Sequence, residues 1–409
     1  MLLLVFNVGS SSLKFDLLEI LDAVPARRVT GGAFVAVAGS GQYALRTAVP
    51  AQGAAAPVNS LAEAAEQALQ WLGNPEIHGR DLLAGVTATV HRIVHGGEQF
   101  RATSELGDQE IEALARLSPL APLHNPPALA VIAAVRRRLD TALPVVGVFD
   151  TAFYADLPEV AYCYAVPPRW RSEFGIRRYG FHGLAHRYLY QRACARLQIS
   201  PAALRLVSLQ LGRGCSVTAT LGGRAIATSM GFTPLAGLVM GTRSGDVDPG
   251  ALLYVMERSG MSAAAMSREL NEHSGLLGLS GQSADMSELL AREQRGDRDA
   301  ALAIAVFCRR ARHYLAAYIA ELGGVDAIVF GGGIGENSGE IRRRIIGGFQ
   351  WAGIELDAAA NSASAGNESS IAASGSRAEI LVIPVDEASV IANQAAAVLL
   401  RRSSARLTN

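Results

Sequence analysis

Lysine is all but missing from this chain. Its 409 residues carry 37 basic side chains, and Lys14 is the single lysine; all the others are arginine. An arginine-only surface reflects genome composition, which makes the one retained lysine informative. A compact ammonium on a flexible stem cannot be replaced by a planar guanidinium where a phosphate oxygen needs a point charge. Net charge is missing as well: 37 acidic residues balance the basic ones, and the pI is about 7.1. That balance argues against nucleic acid or a membrane surface as partner. Cysteine is scarce. Cys163, Cys194, Cys215 and Cys308 lie at no metal-ligand spacing and read as reduced thiols. No apolar run reaches the ~18 residues of a membrane span. The apolar run Leu2–Phe6 is short and lacks a basic leader, so it does not read as a signal peptide. A cytoplasmic protein is expected. What the chain does have is core: half its residues are apolar, and 43.0 kDa is long for one domain and suits two.

The chain is organised around its first residues, LLLVFNVGSSSLKFDLL. Leu2–Phe6 reads as a buried strand, Asn7–Ser12 as a small polar turn, and Leu13–Leu18 as a second strand. Such a turn can offer backbone N–H groups, hydroxyls and the Asn7 amide to an oxyanion. Further strands are expected at Ala33–Val37 and Tyr43–Val49, separated by Gly39–Gly41. Ser60–Leu72 is a helix capped by Ser60, with Glu63 at the box position. Val86–Val90 is a strand, Asp108–Leu117 a helix, and Pro119–Pro127 an extended loop, because proline biases its predecessor away from the α region. Ala128–Leu139 is a helix, and Val145–Phe149 is a strand ending at Asp150. After a loop-rich stretch, Pro167–Gly183, comes a helix over His186–Leu197. The pattern then restarts as strand Leu204–Leu211, turn Gly212–Ser216, strand Val217–Leu221, hairpin turn and strand Arg224–Ser229. This echo suggests duplication. Helices follow over Asp248–Arg258, Ser262–Asn271 and Ala300–Leu322. Ala327–Phe330 is a strand entering the glycine-rich Gly331–Glu340, with a helix from about Ser338. Ala358–Ser376 reads as a surface loop, Ile380–Pro384 as a strand and Asp386–Leu400 as the closing helix.

Three turns after strands are candidate phosphate loops: Asn7–Ser12, Leu211–Ser216 and Gly331–Asn337. Three such turns in a duplicated chain carry more weight than any one. Arg92, Asp150, Arg243, Asp246 and Glu387 stand at or near strand ends or in the Gly/Pro-dense segment Met240–Gly250. Two arginines can clamp a carboxylate and a phosphoryl group, and a carboxylate can hold Mg²⁺ through water. His182 and His186 are four residues apart, but without HExxH or an obvious third ligand a metal pair is disfavoured. A histidine hydrogen-bonding a phosphoryl group suits this setting better.

Together FNVGSSSLKF, HRIVHGGE, PLHNPP, VFDTAF, RRYGFHG, TSMGFTPLAGLVMGTRSGDVDPG and GGGIGENSG resemble the acetate kinase family, in the acetate and sugar kinase/Hsp70/actin superfamily. The resemblance runs along nearly the whole chain. It implies an α/β protein of two actin-like domains, each βββαβαβα, closing on a central cleft. The first would be residues 1–150 with 387–409, the second 151–386. It implies Mg²⁺-dependent phosphoryl transfer between ATP and acetate, and a homodimer. Carried over by position, Asn7 and Glu387 would place Mg²⁺. Ser10, Ser12 and Lys14 would support the phosphates. Arg92 and Arg243 would flank the carboxylate and the phosphoryl group, His182 would hydrogen-bond that group, and Asp150 would complete the polar site. Val94, Leu123, Phe181 and Pro234 would enclose the methyl group. The nucleotide would lie against Gln210, Leu211, Gly212, Arg213 and Gly214, against Asp285, Met286 and Ser287, and against Gly333, Ile334, Gly335, Glu336 and Asn337.

The departures gather on the donor side. The family's HLGNG is QLGRG here, so Gln210 and Arg213 replace a histidine and an asparagine; Ala227 and Ala236 replace two acids; GTSH is GLAH at Gly183–His186. The readings left open are a propionate or butyrate kinase, a pyrophosphate-dependent enzyme, and a non-catalytic nucleotide-binding paralogue.

Overall fold

A computed structural model describes residues 1–9, 12–21, 26–37, 40–47 and 57–407. The chain divides into two compact units, Met1–Ala155 with Asp386–Asn409, and Asp156–Val385. The sequence reading puts its divisions at 150/151 and 386/387.

In the first unit, Leu2–Val8 (β1), Ser12–Glu19 (β2), Arg27–Ala36 (β3) and Tyr43–Thr47 (β4) form an antiparallel meander. Ala88–Ile93 (β5) joins β1 in parallel, and Val145–Phe149 (β7) joins β5 in parallel. The short strand Ser104–Glu105 (β6) closes the far edge antiparallel to β7. β1, β5 and β7 are almost wholly buried, which is why they read as continuous apolar runs rather than alternating ones. Leu4, Phe6, Phe15 and Phe34 share one core with Ala64, Ala68 and Trp71 of helix Leu61–Leu72 and Val131 and Val135 of helix Asn125–Arg138. Helix Glu387–Leu407 packs on β1, β5 and β7, so the last element of the chain returns to its first.

The second unit repeats the plan. Arg205–Leu211 (β8), Cys215–Leu221 (β9) and Arg224–Thr228 (β10) are an antiparallel meander; Ala327–Gly331 (β11) and Glu379–Val382 (β13) extend β8 in parallel; Ser369–Ser370 (β12) closes the edge antiparallel to β13. Strand for strand the order matches the first unit, with β4 as that unit's one addition. The duplication read from the sequence is therefore a duplication of topology.

Several local expectations need correction. Pro119–Pro127 is not extended: Ser118–Leu120 is a 3₁₀ turn, and Pro126 and Pro127 sit in the first turn of helix Asn125–Arg138. Proline's missing N–H costs nothing there, because first-turn N–H groups have no intrahelical acceptor. Helix His186–Leu197 begins earlier, at Gly183, and a further helix, Pro168–Phe174, lies within the expected loop. Strand Val86–Val90 is shifted to Ala88–Ile93, and the strand expected at Ala33 already starts at Arg27. Gly332–Asn337 is a one-turn helix, followed by a second helix, Gly339–Ile346. Ala358–Ser376 is not surface loop throughout: it holds helix Ala358–Ala363, and Asn361 is buried. Ser10 and Gly39 lie outside the described residues.

Candidate active site

Parallel pairing of β1 with β5 sets Asn7 beside Arg92, and pairing of β5 with β7 brings Arg92 next to the strand that leads into Asp150. Arg92 donates from Nε to Asp150 Oδ1 at 3.0 Å, from Nη2 to Oδ2 at 2.6 Å, and from Nη1 to Asn7 Oδ1 at 2.8 Å. Asn7 Nδ2 donates to Glu387 Oε2 at 2.8 Å, and that oxygen lies 3.9 Å from Arg92. This is a planar fork held by a carboxylate that is 1% exposed. Burial by itself would lower the Arg92 pKa, but Asp150 and Glu387 outweigh it and hold the guanidinium above its ordinary value. Lys14 is paired with Asn7 across β1 and β2, and its side chain is exposed. Val94 is buried just beyond β5; Leu123 is half exposed.

In the second unit, Phe181 is buried and His182 caps helix Gly183–Leu197 from the left-handed region, at φ 59°. A non-glycine residue there is strained, and such strain gathers at functional positions. The turn between β8 and β9 is Gly212–Gly214, closed by Gly212 N–H donating to the Gly214 carbonyl at 3.1 Å. A Cβ on Gly214 would lie 3.2 Å from His182 Nε2 and 3.7 Å from Arg243 Nη1, so this glycine marks where the imidazole and the guanidinium meet. Arg243 donates to the Pro234 carbonyl at 3.3 Å, and among the described residues no carboxylate pairs with it. Burial lowers its pKa. The Cys215 thiol is also buried and pushed up to about 12, which leaves it inert.

The second and third loops converge within this unit. A Cβ on Gly212 would lie 3.8 Å from Gly333 N, and Gly332, at φ 76°, leaves no room for a side chain against the Leu211 carbonyl. Glu336 Oε1 accepts from Gly332 N–H and Val385 N–H, so its carboxylate shapes the loop from inside. Asn337 Nδ2 donates to the Gly333 carbonyl, and Gly333 and Asn337 are exposed. Gln210 is half buried at the end of β8, and Leu211 and Gly335 are buried. Arg213 is exposed, and its carbonyl accepts from Gly241 N–H. Asp285 caps helix Met286–Gln294 through the N–H groups of Ser287 and Glu288; the Ser287 hydroxyl, which also donates to it, then those N–H bonds and nearby Arg213 hold its carboxyl below the usual range. Met286 is buried in that helix.

A profile of the acetokinase family matches residues 2–393. The chain belongs to the acetokinase family. An acetate kinase of Solibacter usitatus is 42% identical over 95% of this chain and 96% of its own length. Among solved structures, acetate kinase of Porphyromonas gingivalis has a TM-score of 0.88 at 36% identity over 97% of this chain and 99% of its own. A propionate kinase of Francisella tularensis has a TM-score of 0.86 at 34% identity, covering 96% and 98%. This acetokinase therefore has the actin-like ATPase fold and is a phosphotransferase with a carboxyl group as acceptor.

A divalent ion fits the residues of this acetokinase in one way only. No group of three or more His, Cys, Asp or Glu side chains converges among the described residues, so no all-protein cage is built. One carboxylate, Glu387, with an amide beside it, would suit a hydrated Mg²⁺ that takes its other ligands from water and phosphate oxygens.

Three residues support the site; sequence reasoning missed Arg342, and named Asp246 and His186 among its candidates. Arg342, fully buried, donates to the carbonyls of Gly335, Glu336, Asn361 and Ser364 and to Asn361 Oδ1, tying the third loop to helix Ala358–Ala363. Asp246 Oδ1 accepts from Gly237 N–H at 2.7 Å and its Oδ2 from Tyr314, fixing the segment that carries Arg243. His186 contacts two buried serines. Arg342 lies in an arginine-rich helix turn that resembles surface, and only its depth separates it from its neighbours.

Proposed function

We propose that this acetokinase transfers a phosphoryl group reversibly between ATP and acetate, with Mg²⁺, giving acetyl phosphate and ADP. The observation that carries this reading is Arg243: a partly buried guanidinium that no carboxylate pairs with among the described residues, flanking the same glycine turn as an imidazole. Such a group is stabilised by anionic charge supplied by a substrate. Arg92, oriented by Asp150, takes the acetate carboxylate. Arg243 and His182 donate to the equatorial oxygens of the moving phosphoryl group. No strong base is needed, because a carboxylate nucleophile is already ionised at neutral pH. Val94, Leu123, Phe181 and Pro234 exclude water from the methyl group. Ser10, Ser12 and Lys14 take the phosphates, with Gln210–Gly214; Asp285–Ser287 and Gly333–Asn337 take the rest of the nucleotide. Asn7 and Glu387 hold Mg²⁺, which neutralises phosphate charge when bound.

Helix Pro249–Ser259 supports the homodimer. It buries none of its residues, and Leu253 and Tyr254 are 66% and 60% exposed. The cysteines among the described residues are all free thiols, in keeping with the cytoplasm.

The test is hydroxamate trapping of acetyl phosphate with ATP, Mg²⁺ and acetate. Propionate and butyrate are run in parallel, because one methylene separates acyl acceptors by only ~1–3 kcal/mol. Pyrophosphate is run as a donor because Arg213 places an exposed cation at the phosphate turn. The expected result is turnover with ATP and the highest kcat/KM for acetate. A butyrate preference, turnover with pyrophosphate alone, or nucleotide binding without turnover would each overturn the reading.

A further inference from the structure

His182 is one end of a buried chain of contacts. Its Nδ1 lies 2.9 Å from Ser216 Oγ; the same oxygen lies 2.7 Å from His186 Nε2; and His186 Nδ1 lies 2.7 Å from Ser208 Oγ. His186, Ser208 and Ser216 are each 0% exposed, so water does not substitute for any of these partners. The chain is built from separate elements. His182 caps helix Gly183–Leu197 and His186 lies four residues on within it, while Ser208 and Ser216 come from the neighbouring strands β8 and β9.

Burial holds His186 far below the ordinary histidine range, so its ring is neutral, with one N–H and one lone pair. Its two serine contacts must then run in opposite senses. Ser216 has one hydroxyl proton and two lone pairs, so it either donates to one imidazole and accepts from the other or accepts from both. With a neutral His182, three arrangements satisfy all three contacts. In the first, Ser208 donates to His186 Nδ1, His186 Nε2–H donates to Ser216, and Ser216 donates to His182 Nδ1. The His182 proton then sits on Nε2, the atom that flanks Gly214 together with Arg243 Nη1. In the other two, His182 Nδ1–H donates to Ser216 and a bare lone pair occupies that point. The substrates of a phosphotransferase with a carboxyl acceptor are anions, and a lone pair aimed at a phosphoryl oxygen repels it. Arg243 already supplies positive charge there, so what the ring contributes is a directed N–H.

We propose that His186 is a positioning residue, which through Ser216 holds His182 as its Nε2–H tautomer. The proposal rests on the reading of His182 as a donor to the transferring group. It adds a specificity of proton placement that neither histidine has alone, since an isolated imidazole exchanges freely between tautomers.

The experiment is ¹⁵N-histidine NMR of the full chain, with His182 assigned by its loss in His182→Gln, together with steady-state kinetics. Wild type is expected to show a protonated Nε2 and a bare Nδ1 at His182. Ser216→Ala should mix the tautomers and lower kcat by about tenfold to a hundredfold, as loss of orienting partners typically does, with KM for acetate and ATP within about twofold. His186→Gln, whose amide N–H can still donate to Ser216, should keep the tautomer and most of kcat; His186→Leu should lose both. A bare Nε2 or a doubly protonated ring in wild type overturns the proposal, as does an unchanged tautomer in Ser216→Ala. If Ser216→Ala does not fold, the wild-type spectrum and the Gln/Leu pair decide. Failure of the functional reading looks different: His182→Gln would keep its kcat while the tautomer behaved as described.

Discussion

Two arginines, one in each unit, carry opposite electrostatic designs. Arg92 is 13% exposed, forked onto Asp150, bonded to Asn7 and close to Glu387, and those carboxylates raise its pKa. Arg243 is also partly buried, but among the described residues it bonds to a carbonyl and a thioether sulfur and to no carboxylate, and burial lowers its pKa. Arg92 is compensated and oriented before any substrate arrives. Arg243 keeps an unmet demand for negative charge. Orientation suits a group that must hold a ground-state carboxylate. Unmet demand suits a group that must gain most when phosphoryl charge develops.

The contrast can be broken in three ways. The largest effect belongs to Arg243→Ala: kcat should fall by about 10³-fold, on the scale of a lost transition-state donor, while KM for ATP changes little. An unchanged kcat would remove Arg243 from the site. Next comes stability. Asp150→Ala should lower the unfolding free energy by about 3 kcal/mol, because it strands a buried guanidinium, with part recovered in Arg92→Met/Asp150→Leu. Arg243→Met should instead raise it, as expected where a charge is kept for function rather than folding. Urea denaturation of the three variants distinguishes these outcomes, and a loss of stability in Arg243→Met would contradict the contrast. The smallest effect is the response to acid. Burial holds His91, stacked on Phe6, at about 3, and holds His186 well below its ordinary value. A base whose folded pKa is depressed contributes stability that is complete above about pH 6.5 and is lost as pH falls, because only the unfolded chain takes up the proton. Each histidine should add at most ~1.4 kcal/mol per pH unit to that loss. His91→Phe and His186→Gln should each flatten the slope between pH 6.5 and pH 4; an unchanged slope would show that the ring is already protonated in the fold.

The turns and strand ends of the site were legible because each signal was local. Asn7, Arg92 and Asp150 stand at the ends of buried apolar runs, and Gly214 and Gly332 lie in short glycine motifs after strands. The capping of Leu61–Leu72 followed from Ser60 and Glu63 in the same way. The misreadings share a cause in context. Pro126 and Pro127 are compatible with a loop or with a first helical turn, and only the packing of Ala128, Val131 and Ile132 decides between them. Ala358–Ser376 has a surface composition, and Asn361 is buried because Arg342 reaches it from a different helix.

Residue order by itself determined the family, the doubled topology and the chemical kinds of group available, since hydrophobic period, glycine placement and side-chain type are properties of the chain. Which arginine is neutralised, and which imidazole nitrogen bears the proton, was decided only by tertiary structure. Both depend on partners brought from distant strands and helices into water-free contact, where the absence of solvent leaves each charge and each proton to its protein neighbours.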